Sequence, residues 1–187
     1  MPDLLSAVSR KIHGAAGPID IRIYPTATAA LTEPRMGTEG GSDGVYHVVF
    51  RFGAPVTFTG AVTDSMANVT STTIDGNDVV VNLTGVPNQQ TTHVTLNGVS
   101  AGGASGTVSV PLTVLIGDVN DDKTVNAADA TVTRNHSGEL VSDDEGIRNE
   151  RDDVNFDGVI NSADATVVRN NSGKSVMGAQ IGARRSR

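Results

Sequence analysis

The sequence predicts a mainly β chain, with an antiparallel β-sandwich over its first two thirds and a small all-α unit built on a repeated acidic loop after it. Three observations predict this. Residues 19–116 alternate apolar and polar positions with period two; the alternation stops at Gly117; and DVNDDKTVNAAD at 118–129 returns as DVNFDGVINSAD at 153–164. Successive Cβ atoms point to opposite faces of a strand, so a period of two marks strands that bury one face.

The strands follow in order. IDIRIY puts Ile19, Ile21 and Ile23 on one face against Asp20 and Arg22. VYHVVFRF groups Tyr46, Val48, Phe50 and Phe52 against His47 and Arg51. VTFTGAVT offers Val56 and Phe58, VVVNL offers Val79, Val81 and Leu83, and HVTLNGV offers Val94 and Leu96. TVSVPLTVLI aligns Val108, Val110, Leu112, Val114 and Ile116. Turn signals (GGSDG, GAP, DGND, GVPNQQ and NGVSAGGASG) separate these runs. Six or seven short strands so spaced predict an immunoglobulin-like sandwich over 19–116. Pro111 has no ladder N–H, which predicts an edge or a bulge for its strand. Residues 25–44 read as a long loop, and residues 1–18 receive no assignment. Residues 117–175 form the second domain, and residues 176–187, ending GARRSR, read as a disordered basic tail.

The composition narrows the function. The formal charge is −7. Residues 117–175 hold 13 Asp and Glu against 6 Lys and Arg, so they carry the whole excess and the rest of the chain is neutral. That argues against nucleic acid as a partner and fits a segment that expects cations. Cysteine is absent, which removes disulfides, thiolate metal sites and Cys nucleophiles. No apolar run reaches the roughly 18 residues of a membrane helix. The opening MPDLLSAVSRKIHG shows no secretory pattern, so the chain reads as cytosolic or as a piece of a longer secreted protein.

At an offset of 35, residues 118–138 and 153–173 share 14 of 21 identities. Each dozen runs into an Ala-containing stretch, NAADATVTRNHSG or NSADATVVRNNSG. Asn126 and Asn161 suit N-caps, Asp129 and Asp164 complete capping boxes, and Gly138 and Gly173 suit C′ positions. Helices are predicted near 127–137 and 162–172. A hard divalent cation takes six to eight oxygens, which a 12-residue loop supplies from positions 1, 3, 5, 7 (a carbonyl), 9 and 12. Those positions hold Asp118, Asn120, Asp122, the Thr124 carbonyl, Asn126 and Asp129, then Asp153, Asn155, Asp157, the Val159 carbonyl, Asn161 and Asp164. Such EF-hand-like, all-oxygen sets suit two Ca²⁺ ions rather than zinc or copper. Position 8, Val125 or Ile160, is read as a back-to-back contact between the loops. Position 6 is Lys123 in one copy and Gly158 in the other. A non-Gly residue there costs about 1 kcal/mol and adds positive charge, so site 2 is expected to bind more tightly.

Two D-x-N-x-D-x-x-x-N-x-x-D loops, each followed by a helix and neither preceded by one, resemble the type I dockerin over roughly residues 117–175. The resemblance implies a calcium-binding, non-catalytic attachment module with a cohesin-like partner, extracellular or at a bacterial cell surface. It also implies a role beside polysaccharide-degrading enzymes. It places partner contacts at Ala127, Ala128, Arg134 and Asn135, and at Ser162, Ala163, Arg169 and Asn170. Many members carry a hydroxyl pair at loop positions 10 and 11; this chain has Ala-Ala and Ser-Ala. More weakly, the whole chain resembles the C-terminal end of secreted bacterial multidomain proteins, where a β-sandwich precedes a dockerin. Alternative functions are an accessory region of a glycoside hydrolase whose catalytic domain is absent, a calcium-stabilised spacer without partner, and an intracellular calcium sensor.

Nothing marks an enzyme or a small-molecule substrate. His13, His47, His93 and His136 are scattered and read as solvated. No G-x-S-x-G, H-E-x-x-H or P-loop occurs. Asp143, Asp144 and Glu145 read as a solvated charge run. Tyr24 is the one aromatic ring expected to be exposed on a strand, too little for a sugar platform. Sequons at Asn68, Asn82, Asn135 and Asn170 arise readily in so Asn- and Thr-rich a chain.

Overall fold

A computed structural model describes residues 1–24, 31–39, 43–144 and 147–176 of the chain. The basic tail from residue 177, residues 25–30 and 40–42 of the stretch read as a long loop, Glu145 and the Tyr24 side chain lie outside the described residues. The elements are β1 (Leu4–His13), β2 (Gly17–Tyr24), β3 (Thr32–Glu33), β4 (Tyr46–Phe52), β5 (Val56–Thr57), β6 (Gly60–Thr63), β7 (Asn68–Asp75), β8 (Asp78–Thr84), β9 (Gln90–Ala101), β10 (Ala104–Val114), α1 (Ala127–Asn135) and α2 (Ser162–Asn170).

Two sheets face each other. One has the order β2-β1-β4-β8-β7; the other has β3-β10-β9-β5, with β6 also on β9. The pairing is antiparallel except for the short parallel contact of β3 with β10. This mainly β sandwich followed by two helices is the predicted class, and it fits an immunoglobulin-like module. The inward residues are those the alternation selects: Ile23, Val48, Phe50, Val81, Leu83, Leu96, Val110 and Leu112 are all fully buried in one cluster. Each such side chain contributes about 1.5–3 kcal/mol. Pro111 pairs with His93 where only β9 flanks β10, because β3 reaches only Thr113 and Val114. It therefore sits at an open edge. The bulge of that strand lies elsewhere, between Gly106 and Val108.

Three strands carry no period-two signal. β7 (NVTSTTID) is exposed almost throughout, so it has no apolar face to alternate. β3 has only two residues, inside the stretch read as a loop. β1 is the informative case. It lies between β2 and β4, and its inward series begins with Ala7 in the sandwich core but continues through Ser9, Lys11 and His13, all fully buried. Ser9 lies beside Arg35, which donates to its carbonyl, while Lys11 and His13 reach Phe156 and Asp153 of the second unit. Lys11 Nζ lies 4.5 Å from the Tyr46 ring centroid and 4.9 Å from that of Phe156.

The C-terminal unit has its own apolar cluster of Leu115, Val119, Val125, Ala130, Val154 and Val168, against which Met36 and Ile116 also pack. Residues 33–37 bind it to the sandwich through the backbone: Leu115 N–H donates to the Glu33 carbonyl (3.1 Å), Gly117 N–H to the Pro34 carbonyl (2.8 Å) and Met36 N–H to the Val154 carbonyl (2.8 Å).

Candidate metal centre

The two loops fold alike because their sequences give the same local instructions. Positions 4 and 6 are left-handed in both, at Asp121 (φ 62°) and Lys123 (71°), then Phe156 (50°) and Gly158 (97°). The aspartate at position 1 is fully buried in both copies. Asp118 Oδ1 accepts the Asp122 N–H at 3.0 Å, and Asp153 Oδ1 accepts that of Asp157 at 3.1 Å. Asn120 and Asn155 accept the same two N–H groups at 2.9 and 3.0 Å. The aspartate at position 12 closes the loop and starts the helix at once. Asp129 accepts from Asn120 N–H (3.2 Å) and Asn126 N–H (2.8 Å); Asp164 accepts from Asn155 N–H (3.1 Å) and Asn161 N–H (2.9 Å). Asn126 and Asn161 cap α1 and α2 in complete capping boxes. The helices end at Asn135 and Asn170, earlier than predicted, with His136 and Asn171 as C-caps. Gly138 and Gly173 fall one residue beyond the expected C′ position.

Each loop thus gathers three carboxylates, two amides and a carbonyl. Among the described residues no three His, Cys, Asp or Glu side chains form a ready cluster by themselves. The oxygens come from a mixed set, as a loop for a hard cation requires. Burial, joined by the charges of Asp153 and Asp157, pushes the Asp164 carboxyl up to about 6 against its backbone hydrogen bonds. Burial likewise raises Asp118, with Asp129 and Asp121 adding to it and Thr32 and Arg151 opposing. The donors present fit calcium.

Residues 116–171 match the family model of the dockerin type I domain. No curated protein and no solved structure shows significant similarity to the chain. Dockerin domains are non-catalytic, calcium-binding assembly modules that engage cohesin-type partners and are typically extracellular. Among the described residues no helix is long and apolar enough to cross a membrane.

Within the dockerin unit the position 8 residues behave differently from the expectation. Both are fully buried, but the loops do not pair through them. Val125 exchanges backbone bonds with Gly173 and Lys174, after α2, at 2.8 and 2.9 Å. Ile160 does the same with Gly138 and Glu139, after α1, at 2.8 and 3.1 Å. Each loop is therefore tied to the exit of the other helix. The reason is geometric: a backbone leaving the partner helix passes the loop edge and offers both a donor and an acceptor.

The candidate partner residues Ala127, Ala128, Arg134, Asn135, Ser162, Ala163, Arg169 and Asn170 are all exposed. Arg134 and Arg169 are held alike, donating to Thr131 Oγ1 (3.1 Å) and Thr166 Oγ1 (2.9 Å).

The solvated reading of the histidines fails at His13 and holds at His93, which is exposed. His13 is fully buried, not solvated, with Nδ1 2.7 Å from Asp153 Oδ2. His47 is half-buried against Asn82, and His93 and His136 pair with Asp64 and Asp152. Asp143 is exposed as expected, but it accepts the Asp20 N–H at 3.1 Å. The loop contacts supplied by the sandwich, from His13 and Thr32, had no signal in the repeat, since both residues lie more than 80 positions away from it in sequence.

Proposed function

We propose that the chain is a calcium-stabilised, non-catalytic attachment module that binds two Ca²⁺ ions, one in each loop. The ligands are Asp118, Asn120, Asp122, the Thr124 carbonyl, Asn126 and Asp129 at site 1, and Asp153, Asn155, Asp157, the Val159 carbonyl, Asn161 and Asp164 at site 2. The observation that carries this reading is the dockerin match over a duplicated loop whose buried position 12 carboxylates close the loop and cap the helix. Bound calcium neutralises the gathered carboxylates and fixes the loop ends. Site 2 is the tighter site, because Gly158 takes its left-handed conformation without strain while Lys123 does not. The exposed faces of α1 and α2 meet a cohesin-type partner outside the cell, beside polysaccharide-degrading enzymes.

Calorimetric titration tests the ion count: two ions bind the chain, and Asp129→Ala and Asp164→Ala each leave one. Asp129→Ala, which keeps site 2, retains the higher affinity; equal affinities in the two variants defeat the ranking. Pull-down of cohesin modules with calcium and with chelator tests attachment. Calcium binding without calcium-dependent capture would leave a structural spacer. That reading draws on Ala127, Ala128 and Ala163, whose small side chains offer a partner little to grip.

A further inference from the structure

We infer that the sandwich supplies a positioning residue to each calcium loop, Thr32 to Asp118 and His13 to Asp153, so that cation affinity depends on the sandwich. The inference rests on the calcium reading above and adds to it residues outside the dockerin match.

The two contacts are built in parallel. In loop 1 the Thr32 hydroxyl donates to Asp118 Oδ2 at 2.7 Å. The hydroxyl is itself held: Arg151 Nη2 donates to Thr32 Oγ1 at 2.8 Å, and Nη1 to the Thr32 carbonyl at 2.7 Å. The hydroxyl also lies 2.9 Å from Asp121 Oδ1, but that oxygen already accepts the Thr32 N–H at 2.8 Å and the Lys123 ammonium at 2.6 Å, so the single hydroxyl proton goes to the nearer Asp118 Oδ2. In loop 2 His13 stands where Thr32 stands in loop 1. Its Nδ1 lies 2.7 Å from Asp153 Oδ2, and its Nε2 lies 2.8 Å from Arg35 Nη1. A guanidinium has only donors, so Nε2 accepts and Nδ1 carries the proton that goes to Asp153. Arg35 cannot swing away. It is fully buried, paired with Glu33 through Nε (2.8 Å) and Nη2 (2.7 Å), and bonded to the Ile19 and Ser9 carbonyls at 3.0 and 2.8 Å. Each loop therefore has a guanidinium fixing a neutral donor, and that donor fixing Oδ2 of the position 1 ligand. The same Oδ2 atoms accept the position 6 N–H groups, from Lys123 at 3.2 Å and Gly158 at 2.8 Å. Partners that orient a ligand in this way commonly set metal affinity by about 10- to 100-fold.

Backbone proximity gives the second observation. A Cβ on Gly14 would stand 2.1 Å from the Asp157 carbonyl oxygen, and one on Gly158 would stand 2.8 Å from that of His13. The sandwich backbone at His13 and Gly14 thus approaches loop 2 at Asp157 and Gly158 too closely to admit a side chain on either glycine.

The test uses the full chain and reads one site at a time by calorimetry with calcium alone. In the Asp164→Ala background, Thr32→Val weakens site 1 by about 10-fold or more, whereas Thr32→Ser, which keeps the hydroxyl, stays within about threefold. In the Asp129→Ala background, His13→Ala weakens site 2 to a similar degree, and His13→Asn, which retains a side-chain N–H donor, restores part of the loss. Under chelator, amide exchange of Lys123 quickens in Thr32→Val, because its acceptor oxygen has lost a second tie. The inference is overturned if Thr32→Val leaves site 1 within about twofold, or if Ser and Asn lose as much as Val and Ala, which would mean packing alone. Should His13→Ala fail to fold, the Thr32 pair and His13→Asn decide. If the unsubstituted chain binds no calcium, the reading of the loops falls; if it binds calcium and ignores these variants, only the present inference falls.

Discussion

Lys123 and Gly158 occupy the same place in two loops of one design, and the structure explains why only one of them is glycine. Lys123 takes a φ of 71° and turns its ammonium to Asp121 Oδ1, 2.6 Å away. Gly158 faces the His13 carbonyl, with no room for a Cβ. Position 4 differs in the same way: Asp121 accepts the Thr32 N–H, while Phe156 lies over Lys11. The copies diverge where each meets a different part of the sandwich. Lys123→Gly should leave stability almost unchanged, since relief of about 1 kcal/mol of strain is offset by about 0.4–1 kcal/mol of unfolded-chain entropy. Its calcium affinity at site 1 should rise, because a positive charge leaves the loop; an unchanged affinity in calorimetry would remove Lys123 from the ranking of the sites. Gly158→Ala should destabilise by more than the roughly 1 kcal/mol of backbone strain, as denaturant unfolding would show.

At the scale of elements, what the sequence made legible was what local spacing encodes. The caps Asn126 and Asn161 and the acids three residues on predicted both helices, because a capping box is complete within four residues. The period-two strands were legible for the same reason. β7 was not, having no buried face, and β1 was not, because its inward series turns polar after Ala7. Nor could position 8 be read correctly, since its partners depend on where the other helix exits. That exchange carries a prediction. Ile160→Ala, at a fully buried residue, should cost about 2–5 kcal/mol, and both halves of the dockerin unit should melt in one transition. Two separate transitions in calorimetric melting would contradict the exchange.

Across the whole molecule, the ligand set was legible and its supports were not. The loop residues sit within 12 positions of one another, whereas Thr32 and His13 lie 86 and 140 residues from the aspartates they bind. Only the folded chain brings them together. The Glu33–Arg35 pair beneath them sets an acid limit. Burial pushes the Glu33 carboxyl up, but the Arg35 charge and hydrogen bonds outweigh it and hold it at about 2, against an ordinary 4.5. A carboxyl depressed on folding stabilises fully above its unfolded value, and that stability is lost as pH falls towards the folded one. Stability should therefore drop between about pH 4.5 and 2, and Glu33→Gln should flatten this part of the profile while lowering stability at neutral pH. The difference between the two proteins' acid titrations isolates Glu33 from the loop carboxylates. Calcium at 100 times its dissociation constant adds about 2.7 kcal/mol per site. Chelation should therefore lower the melting temperature of the dockerin unit, and an unchanged circular dichroism melt would count against bound calcium.

The exchange of loop edges between the two halves also bears on symmetry. One copy of the repeat is half a fold: its loop edge at position 8 lacks a partner, and so does its chain after the helix. Two such single-copy chains would complete each other as a twofold dimer, with an assembly that depends on concentration. Joining the copies in one chain makes the same contact intramolecular, at an effective concentration of the order of millimolar for a short linker. It also frees the halves from identity. A twofold dimer must present the same loop twice, whereas the duplicated chain can offer Asp121 to Thr32, and Phe156 and Gly158 to Lys11 and His13, of a single sandwich.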